Sequence, residues 1–521
     1  MKEQIIILGS GVMQGPAIRI AKELGFFTVV LDGSAQAPCV SMADRFEQID
    51  LKDKEGIETF ARSLQGSGGR LGIMTAGTDF SASVAWTAER LGLPGIPYEA
   101  ALNASDKSRM RACFKKEALP SPDFLTITAA DTFGAVSLPF PLVVKPVDNM
   151  GGRGCRRVNA IEEFQEAASS AISFSRCGRA IVEAFMDGPE FSVDAIVYHG
   201  EITICGLADR HIFFPPYFIE MGHTMPTVIE EEKQAALLET FRAGVRALGL
   251  AGSGSIGAAK GDIKLTARGP MIGEIAARLS GGYMSGWTYP YSSGVEPIRA
   301  AILAAMGRKP DGLAPSKNHV CAERAFISIP GTVKTIAGLE EARNLPFVKD
   351  LFLRIAEGGK VSFPENNVTK CGNIIAASSD RETAVAAAET AARSLLVRLD
   401  PADGQTADFL SFSADFPPDA FPLTDALKAA LSQIPEFQPQ KGAGGTYSIF
   451  PFPAFASCSI TDYMGRTVEE ALKAVRLLSG FPLPQAGENA DNKFILGRSF
   501  WTAFIRGSYQ GAVYYIDNLS K

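Results

Sequence analysis

The sequence predicts an α/β fold, α+β in part: an N-terminal doubly wound parallel unit, a middle of mixed sheets and an extra C-terminal α+β region. Three observations predict it. The first hundred residues alternate short apolar runs with amphipathic helical stretches. That rhythm ends at Asp106, after which strands and helices mix. Further on, Asp262 and Glu274, twelve positions apart, lie in apolar runs of strand length around Thr266-Ala-Arg-Gly-Pro270, which reads as a hairpin turn.

In order along the chain, Gln4 to Leu8 is a buried strand and Pro16 to Leu24 a helix with proline in its first turn. Phe27 to Leu31 is a strand, Lys54 to Leu64 a helix, Leu71 to Thr75 a strand and Ser81 to Leu91 a helix. Asp106 to Glu117 reads as a helix, followed by the strand that closes on Val-Val-Lys145-Pro. Strands are expected near Glu323 to Ile329, Phe352 to Ala356 and Asn373 to Ala377, then one long helix from Arg381 to Leu399. The last 120 or so residues are richer in Pro, Phe and Gly, with helices near Leu423 to Leu431 and Val468 to Leu478. The expected domains are 1–105, 106–317 (with a lid at about 115–185), 318–400 and 401–521.

A length of 521 residues suits about three or four domains. The 46% hydrophobic and 21% charged shares are those of a globular protein with a large core. A net charge of −6 and a pI near 5.6 argue against nucleic acid as a partner. No apolar run approaches the roughly eighteen residues of a membrane span, and the N-terminus does not read as a signal peptide. The eight cysteines form no Cys-x-x-Cys and the four histidines do not pair at ligand spacing. The expected setting is a reducing one, the cytoplasm.

The chemistry-bearing residues concentrate in the middle third. On adjacent antiparallel strands Asp262 and Glu274 would stand side by side and repel, unless a cation lies between them; Mg²⁺ carrying nucleotide phosphates suits, because it takes oxygen ligands and keeps places for water and phosphate. Lys145 leaves the end of its strand at a fixed place, and Asp148-Asn-Met-Gly151-Gly152-Arg153-Gly154 after it is a glycine-rich hairpin turn whose N–H groups can approach phosphate oxygens. Glu183 to Met186, with Phe185 between, can present main-chain groups to a purine edge, and Glu190 can accept from a ribose diol. Arg278 can fork onto a carboxylate or phosphate. The turn Gly9-Ser-Gly11-Val-Met-Gln-Gly15, with Asp32 closing the next strand, is a loose dinucleotide-like spacing; the helix after it could equally hold a substrate carboxylate, and the glycines could simply allow a tight turn. Trp287, Tyr289 and Tyr291 read as loop aromatics, and His211 and His223 as solvated loop histidines around Phe213-Phe-Pro-Pro-Tyr217.

Asp106-Lys107, the Lys145 strand with its glycine loop, Val-Glu183 to Gly-Pro-Glu190 and the Asp262/Glu274 pair together resemble the ATP-grasp superfamily of carboxylate–amine ligases, over residues 1 to 400. The resemblance implies an ATP-grasp fold behind a pre-ATP-grasp domain, with ATP and Mg²⁺ (or Mn²⁺) as cofactors. Lys107, Lys145, Gly151, Gly152, Arg153 and Gly154 would contact phosphates; Glu183, Phe185 and Met186 would hold adenine, and Glu190 the ribose. Asp262 and Glu274 would be metal ligands, Lys145 and Arg278 catalytic, and Gly11, Arg278, Gly281 and Gly282 substrate-facing. Many members carry Glu-x-Asn-x-Arg, with the Asn as a further metal ligand; Ala276 stands there in Glu274-Ile-Ala-Ala-Arg278, which looks like the L-amino acid ligase branch. Residues 318 to 400 resemble the small C-terminal unit of biotin carboxylase and glycinamide ribonucleotide synthetase.

The implied reaction phosphorylates a small carboxylate, an amino acid for preference, and passes the acyl group to an amine, releasing ADP and phosphate. Its partners are small-molecule carboxylate and amine substrates, with neither nucleic acid nor membrane, and a homodimer is admitted. The alternatives are bicarbonate-dependent carboxylation, a purine-pathway ligation, a non-catalytic nucleotide-binding regulator and, resting on the Gly9–Gly15 turn alone, an NAD-dependent oxidoreductase.

Overall fold

The computed structural model describes residues 2–66, 69–129, 136–411, 416–437, 447–479 and 494–519. The chain divides into two compact units, Met1–Glu323 with Ala377–Val385, and Arg324–Ala376 with Ala386–Lys521.

The first unit opens on a parallel sheet of β1 (Gln4–Leu8), β2 (Phe27–Asp32), β3 (Arg45–Gln48) and β4 (Leu71–Thr75), in the order β3-β2-β1-β4. Ile5, Ile7 and Val30 pack on α1 (Gly15–Glu23) and on a later helix at residues 297–305. Ile6, Leu8, Val29 and Leu31 pack on α2 (Lys54–Gln65) and α3 (Ser81–Leu91). Both faces are covered, which is why these strands read as continuous apolar runs without alternation. Helices α4 (Tyr98–Ser105) and α5 (Lys107–Lys116) follow; Asp106 caps α5 by accepting from the N–H groups of Ser108 and Arg109.

Next comes a small antiparallel sheet of β5 (Phe124–Thr128), β6 (Leu142–Pro146), β7 (Arg156–Val158) and β8 (Arg179–Ala184), ordered β5-β8-β6-β7, with α6 (Ile161–Phe174) on one face. Leu142, Val144, Ala180 and Val182 meet Phe164, Ala167 and Ala171 of α6. The alternate residues Val143, Lys145 and Glu183 therefore face the other way.

The large antiparallel sheet of this unit comprises β9 (Glu190–Tyr198), β10 (Glu201–Phe213), β11 (Ile219–Met225), β12 (Ile256–Thr266), β13 (Gly269–Ala276) and β14 (Val320–Phe326), in the order β13-β12-β9-β10-β11-β14. One face carries Phe191, Val193, Leu207, Ala259, Ile263, Ile272 and Ile275, which pack on α4, α5 and α7 (Glu231–Ala247). Helices α8 (Tyr289–Ser292) and α9 (Pro297–Ala305) precede β14, which carries the chain into the second unit.

The second unit holds β15 (Gly331–Ala337), α10 (Leu339–Asn344), β16 (Val348–Leu353), β17 (Lys360–Val361) and β18 (Gly372–Ser378), then α11 (Arg381–Ser394) and β19 (Leu396–Leu399). The expected single helix from Arg381 to Leu399 is therefore corrected. It stops at Ser394, and Leu396-Val-Arg-Leu399 pairs antiparallel with β15, where its apolar residues enter the core around Val333 and Ile374. The remaining elements are α12 (Gly404–Ser411), α13 (Asp425–Ser432), β20 (Tyr447–Ile449), α14 (Pro453–Ala456), α15 (Val468–Ser479), β21 (Phe494–Leu496) and α16 (Arg498–Leu519), the last broken at Gly507–Ser508. Phe421, Phe452, Phe455, Phe500, Trp501 and Phe504 form an aromatic core here. Gln510 of α16 takes the Ile329 N–H and donates to the Val397 carbonyl, so α16 packs onto the β15–β19 region.

Candidate functional site

Strand alternation puts apolar residues of the large sheet on the helices and leaves a charged opposite face. That face carries Glu190, Ser192 and Asp194 of β9, Lys260, Asp262 and Lys264 of β12, Glu274 and Ala276 of β13, Arg210 of β10 and His223 of β11. The ladder sets Asp262 directly opposite Glu274 on one side and Ser192 on the other. Lys264 and Arg210 both oppose Glu190, and Lys260 opposes Ala276 and Asp194. Between Asp262 and Ile263 the register shifts, a bulge that re-aims this stretch of β12. Gly261 is needed behind the acids, because a Cβ there would lie 2.5 Å from the Phe241 ring of α7.

The two acids stay together because cations surround them. Lys107 Nζ lies 3.6 Å from Glu274 Oε1 and donates to the Asn149 carbonyl at 2.9 Å, so one ammonium links the acid pair to the glycine loop. Lys260 Nζ donates to Asp262 Oδ2, Arg210 Nη1 stands 2.9 Å from the same oxygen, and Ser192 Oγ donates to Oδ1 at 3.0 Å. Burial works against the Glu274 carboxylate, but Lys107, Lys260, Lys145 and Arg278 together pull its pKa down to about 2. Arg210 also bonds Glu190 and, at 2.6 Å, Glu220. Burial disfavours its charge, yet Asp262, Glu220 and Glu190 outweigh that and push its pKa well up.

Two adjacent carboxylates are hard oxygen donors of the type Mg²⁺ takes, so these residues fit the ion. Among the described residues no cluster of three or more His, Cys, Asp or Glu could hold a metal. The remaining ligands of such an ion would be water and phosphate, the usual case for Mg²⁺.

β6 and β7 form the hairpin expected around the glycine loop. Gly151, Gly152 and Gly154 all adopt left-handed backbone, φ 69°, 76° and 67°. Asp148 anchors the loop by accepting from Ser175 Oγ at 2.9 Å and from the N–H groups of Arg176 and Cys177. Arg153 Nε donates to the Met150 carbonyl at 3.1 Å, keeping its guanidinium at the loop.

Below the loop lies a buried ion cluster that sequence reading did not foresee. Glu183 Oε1 accepts from Arg111 Nε and Oε2 meets Lys145 Nζ, both at 2.8 Å, while Arg111 Nη2 donates to the Gly273 carbonyl at 2.6 Å. Arg111 and Glu183 are 1% and 2% exposed. The Glu183 side chain thus joins the small sheet to α5 and β13, and only its main chain is left for the purine reading. Main-chain N–H groups of Ala184 and Phe185 are taken by the Asp123 and Pro141 carbonyls. Phe185 stands between cations and an aromatic: Arg157 lies 4.4 Å and Lys264 5.4 Å from its ring centroid, and Phe218 stacks at 6.3 Å. Met186 follows it in the connector to Glu190.

The Gly9–Gly15 turn is internally tied. Asp32 accepts from the Ser10 N–H at 2.8 Å and from Ser10 Oγ at 3.0 Å, and the Gly11 N–H is taken by Gln14 Oε1 at 3.0 Å. Beside it, a Cβ on Gly77 would lie 2.9 Å from Met13 and 3.3 Å from Gly281, so the turn region and the Gly281–Gly282 segment approach closely. Arg278 Nη1 donates to the Leu279 carbonyl, and its buried Nε has no hydrogen-bond partner among the described residues. A Cβ on Gly282 would sit 3.7 Å from Glu220 Oε1.

His211 and His223 are corrected from solvated loop residues. Both lie on paired strands, because β10 and β11 extend right up to the Phe214–Phe218 turn. His223 is fully buried, with Nδ1 3.2 Å from Glu323 and Nε2 3.2 Å from Thr288 Oγ1. The aromatics at 287–291 are helical, not loop: Tyr289 is fully buried, and Trp287 packs edge-on against Tyr283. Arg111, Lys260, Arg210 and Glu220 were missed, and His223 was named but placed in a loop; a charged residue on the same strand face as Asp262 was the one available signal, and it points to Lys260.

This architecture, a parallel N-terminal sheet followed by two antiparallel sheets that meet at an acid pair and a glycine hairpin, is the ATP-grasp fold, and residues 138–285 match the ATP-grasp domain family. Residues 325–400 match L-amino acid ligase C-terminal domain 2, so an ATP-grasp domain is followed along the chain by a segment of that second family. It is similar to carnosine synthase 1 of Gallus gallus, 24% identical over 335 residues, covering 59% of this chain and 36% of that protein. Alanine–anticapsin ligase of Bacillus subtilis is 27% identical over 236 residues, 40% of this chain and 48% of the ligase. An uncharacterised Sinorhizobium fredii protein, y4rH, is 24% identical and is spanned over 65% of its length; this chain thus spans less than two thirds of these relatives. Among solved structures, L-amino acid ligase from Bacillus licheniformis superposes with a TM-score of 0.68 at 22% identity, over 76% of this chain and 99% of that one. Biotin carboxylase from Campylobacter jejuni does so at 0.58 and 18%, over 76% and 92%. At such identities these likenesses speak for the fold. No helix among the described residues is long and apolar enough to cross a membrane.

Proposed function

We propose that this protein is an ATP-dependent carboxylate–amine ligase that forms ADP, with an amino acid as the preferred carboxylate. The observation that carries the reading is Lys107, which touches both Glu274 and the glycine-loop carbonyl of Asn149, and so makes the loop and the acid pair one site. Asp262 and Glu274 would hold Mg²⁺, which supplies charge neutralisation on the triphosphate when bound. Lys107, Lys145 and the Gly151–Gly154 backbone bind the phosphates, the Phe185 ring and the main chain at Met186 receive the adenine, the Ala184 and Phe185 N–H groups being taken already, and Glu190 the ribose. A nucleotide would draw Glu190 from Arg210, which retains Glu220 as partner.

The substrate carboxylate attacks the γ-phosphorus; the P–O bond to ADP breaks, and an acyl phosphate forms. An amine then adds to the acyl carbon and phosphate departs, the amine proton passing to solvent or base. Arg278, whose buried Nε has no hydrogen-bond partner among the described residues, steadies the carboxylate and the phosphoryl oxygens in both steps. Gly11, Gly281 and Gly282 flank the substrate side, where the chain at Gly77 and Gly281 approaches closely. ADP release measured across a panel of paired amino acids and small acids, with products identified by mass, tests the reading. Amide product in step with ADP is expected; ADP release driven by bicarbonate would replace it with a carboxylation.

A further inference from the structure

Lys260 has no part in the reaction just described, yet it occupies the most charged point of the sheet. Its side chain is 14% exposed and its Nζ donates to Asp262 Oδ2, the carboxylate that stands opposite Glu274 in the ladder. Directly opposite it on β13 is Ala276, two residues beyond Glu274 and on the same face. A second divalent ion beside Asp262 would draw on water, phosphate and whatever oxygen donor the protein adds at that place. Ala276 offers none, and across the ladder an ammonium already reaches the carboxylate. The other nearby donor, Ser192 Oγ, is turned onto Asp262 Oδ1.

We propose that the Lys260 ammonium is a built-in monovalent cation that takes the place of a second divalent ion, so that the chain binds one divalent ion per nucleotide. The inference rests on the ligase reading for the nucleotide itself. Lys260 is a positioning residue: it neutralises Asp262 and holds it beside Glu274 without contacting the reacting atoms. In the nucleotide-free protein this ammonium, together with the Arg210 guanidinium 2.9 Å from the same oxygen, competes with any divalent ion for Asp262, since a further cation brought beside them is repelled.

Mn²⁺ is the probe, titrated by electron paramagnetic resonance into the full chain with and without the non-hydrolysable analogue AMP-PNP. Wild type with AMP-PNP is expected to take up one Mn²⁺; two would overturn the inference while leaving the ligase reading intact. Without nucleotide, Lys260→Met is expected to bind Mn²⁺ about tenfold more tightly than wild type, whereas Lys260→Arg should not. A misfolded or merely loosened site would bind the ion less well, so a gain is not a structural artefact, and unchanged or weaker binding by folded Lys260→Met would overturn the proposal. Wild type that binds no AMP-PNP at all would overturn the ligase reading and this inference together.

Discussion

Glu183 shows at the scale of one residue why a site is harder to read than a motif. Its position after an apolar strand suggested purine recognition, but the side chain points at Arg111, seventy-two residues earlier, and at Lys145. Burial alone would favour the neutral acid; Arg111 and Lys145 reverse that and keep its pKa below the usual carboxylate range. Removing one member of a buried pair strands the others, a loss of about 3–5 kcal/mol. Glu183→Gln should therefore lower stability by about that amount in denaturant titration and weaken ATP binding by releasing Lys145; unaltered stability would contradict the ion-cluster account. Glu274→Gln acts differently: it leaves Lys107 a neutral partner near the surface, so the fold and its circular dichroism should persist while ATP turnover is abolished. The pairing of Asp262 with Glu274 and the strand that carries Lys145 were legible because a turn that sequence marks lies a few residues from each. Lys260, Arg210 and His223 were not, because what makes them notable is the partner that register supplies from another strand.

Elements were legible where one signal dominated. β1, β4 and α3 match the expected bounds because their apolar runs are bounded by glycine or proline turns. The Asp262–Glu274 hairpin also closes as expected, with Ala267 and Arg268 between the strands and the Thr266 hydroxyl bonded to the Gly269 carbonyl. Leu396–Leu399 was misread because an alanine-rich helix runs straight into it, and only pairing with β15 decides its state. The helix at 498–519 passed unseen because it is buried on nearly every side and so lacks an amphipathic stripe. At this scale Gly261→Ala is the informative variant. Its methyl would press on Phe241 at 2.5 Å, so stability should fall by about 1–3 kcal/mol, and β12 should shift enough to impair ATP turnover. Pairing it with Phe241→Leu should recover part of both, read by thermal melting and ADP release; no recovery would place the fault elsewhere.

For the whole molecule, the site lies within the first unit, and the second unit has its own aromatic core. The composition gave the globular class and the βα rhythm the N-terminal sheet, but the joining of α16 to the β15–β19 region depends on long-range bonds such as those of Gln510. Acid should reveal the charged site first. Glu274 has an ordinary value of 4.5 and is held at about 2 in the fold, so its contribution is complete above about 4.5 and is lost as pH falls toward 2. Glu183, also held low, acts in the same direction. The thermal midpoint should thus decline over that window, and less steeply in Glu274→Gln; an equal decline in both would mean that other carboxylates set the acid limit. The most direct test of the central claim is ADP formation by the purified protein with ATP, Mg²⁺ and pairs of amino acids, with amide product counted by mass. One ADP per amide, abolished in Glu274→Gln, is the predicted result; ADP release that ignores amino acids, or that survives intact in Glu274→Gln, would contradict it.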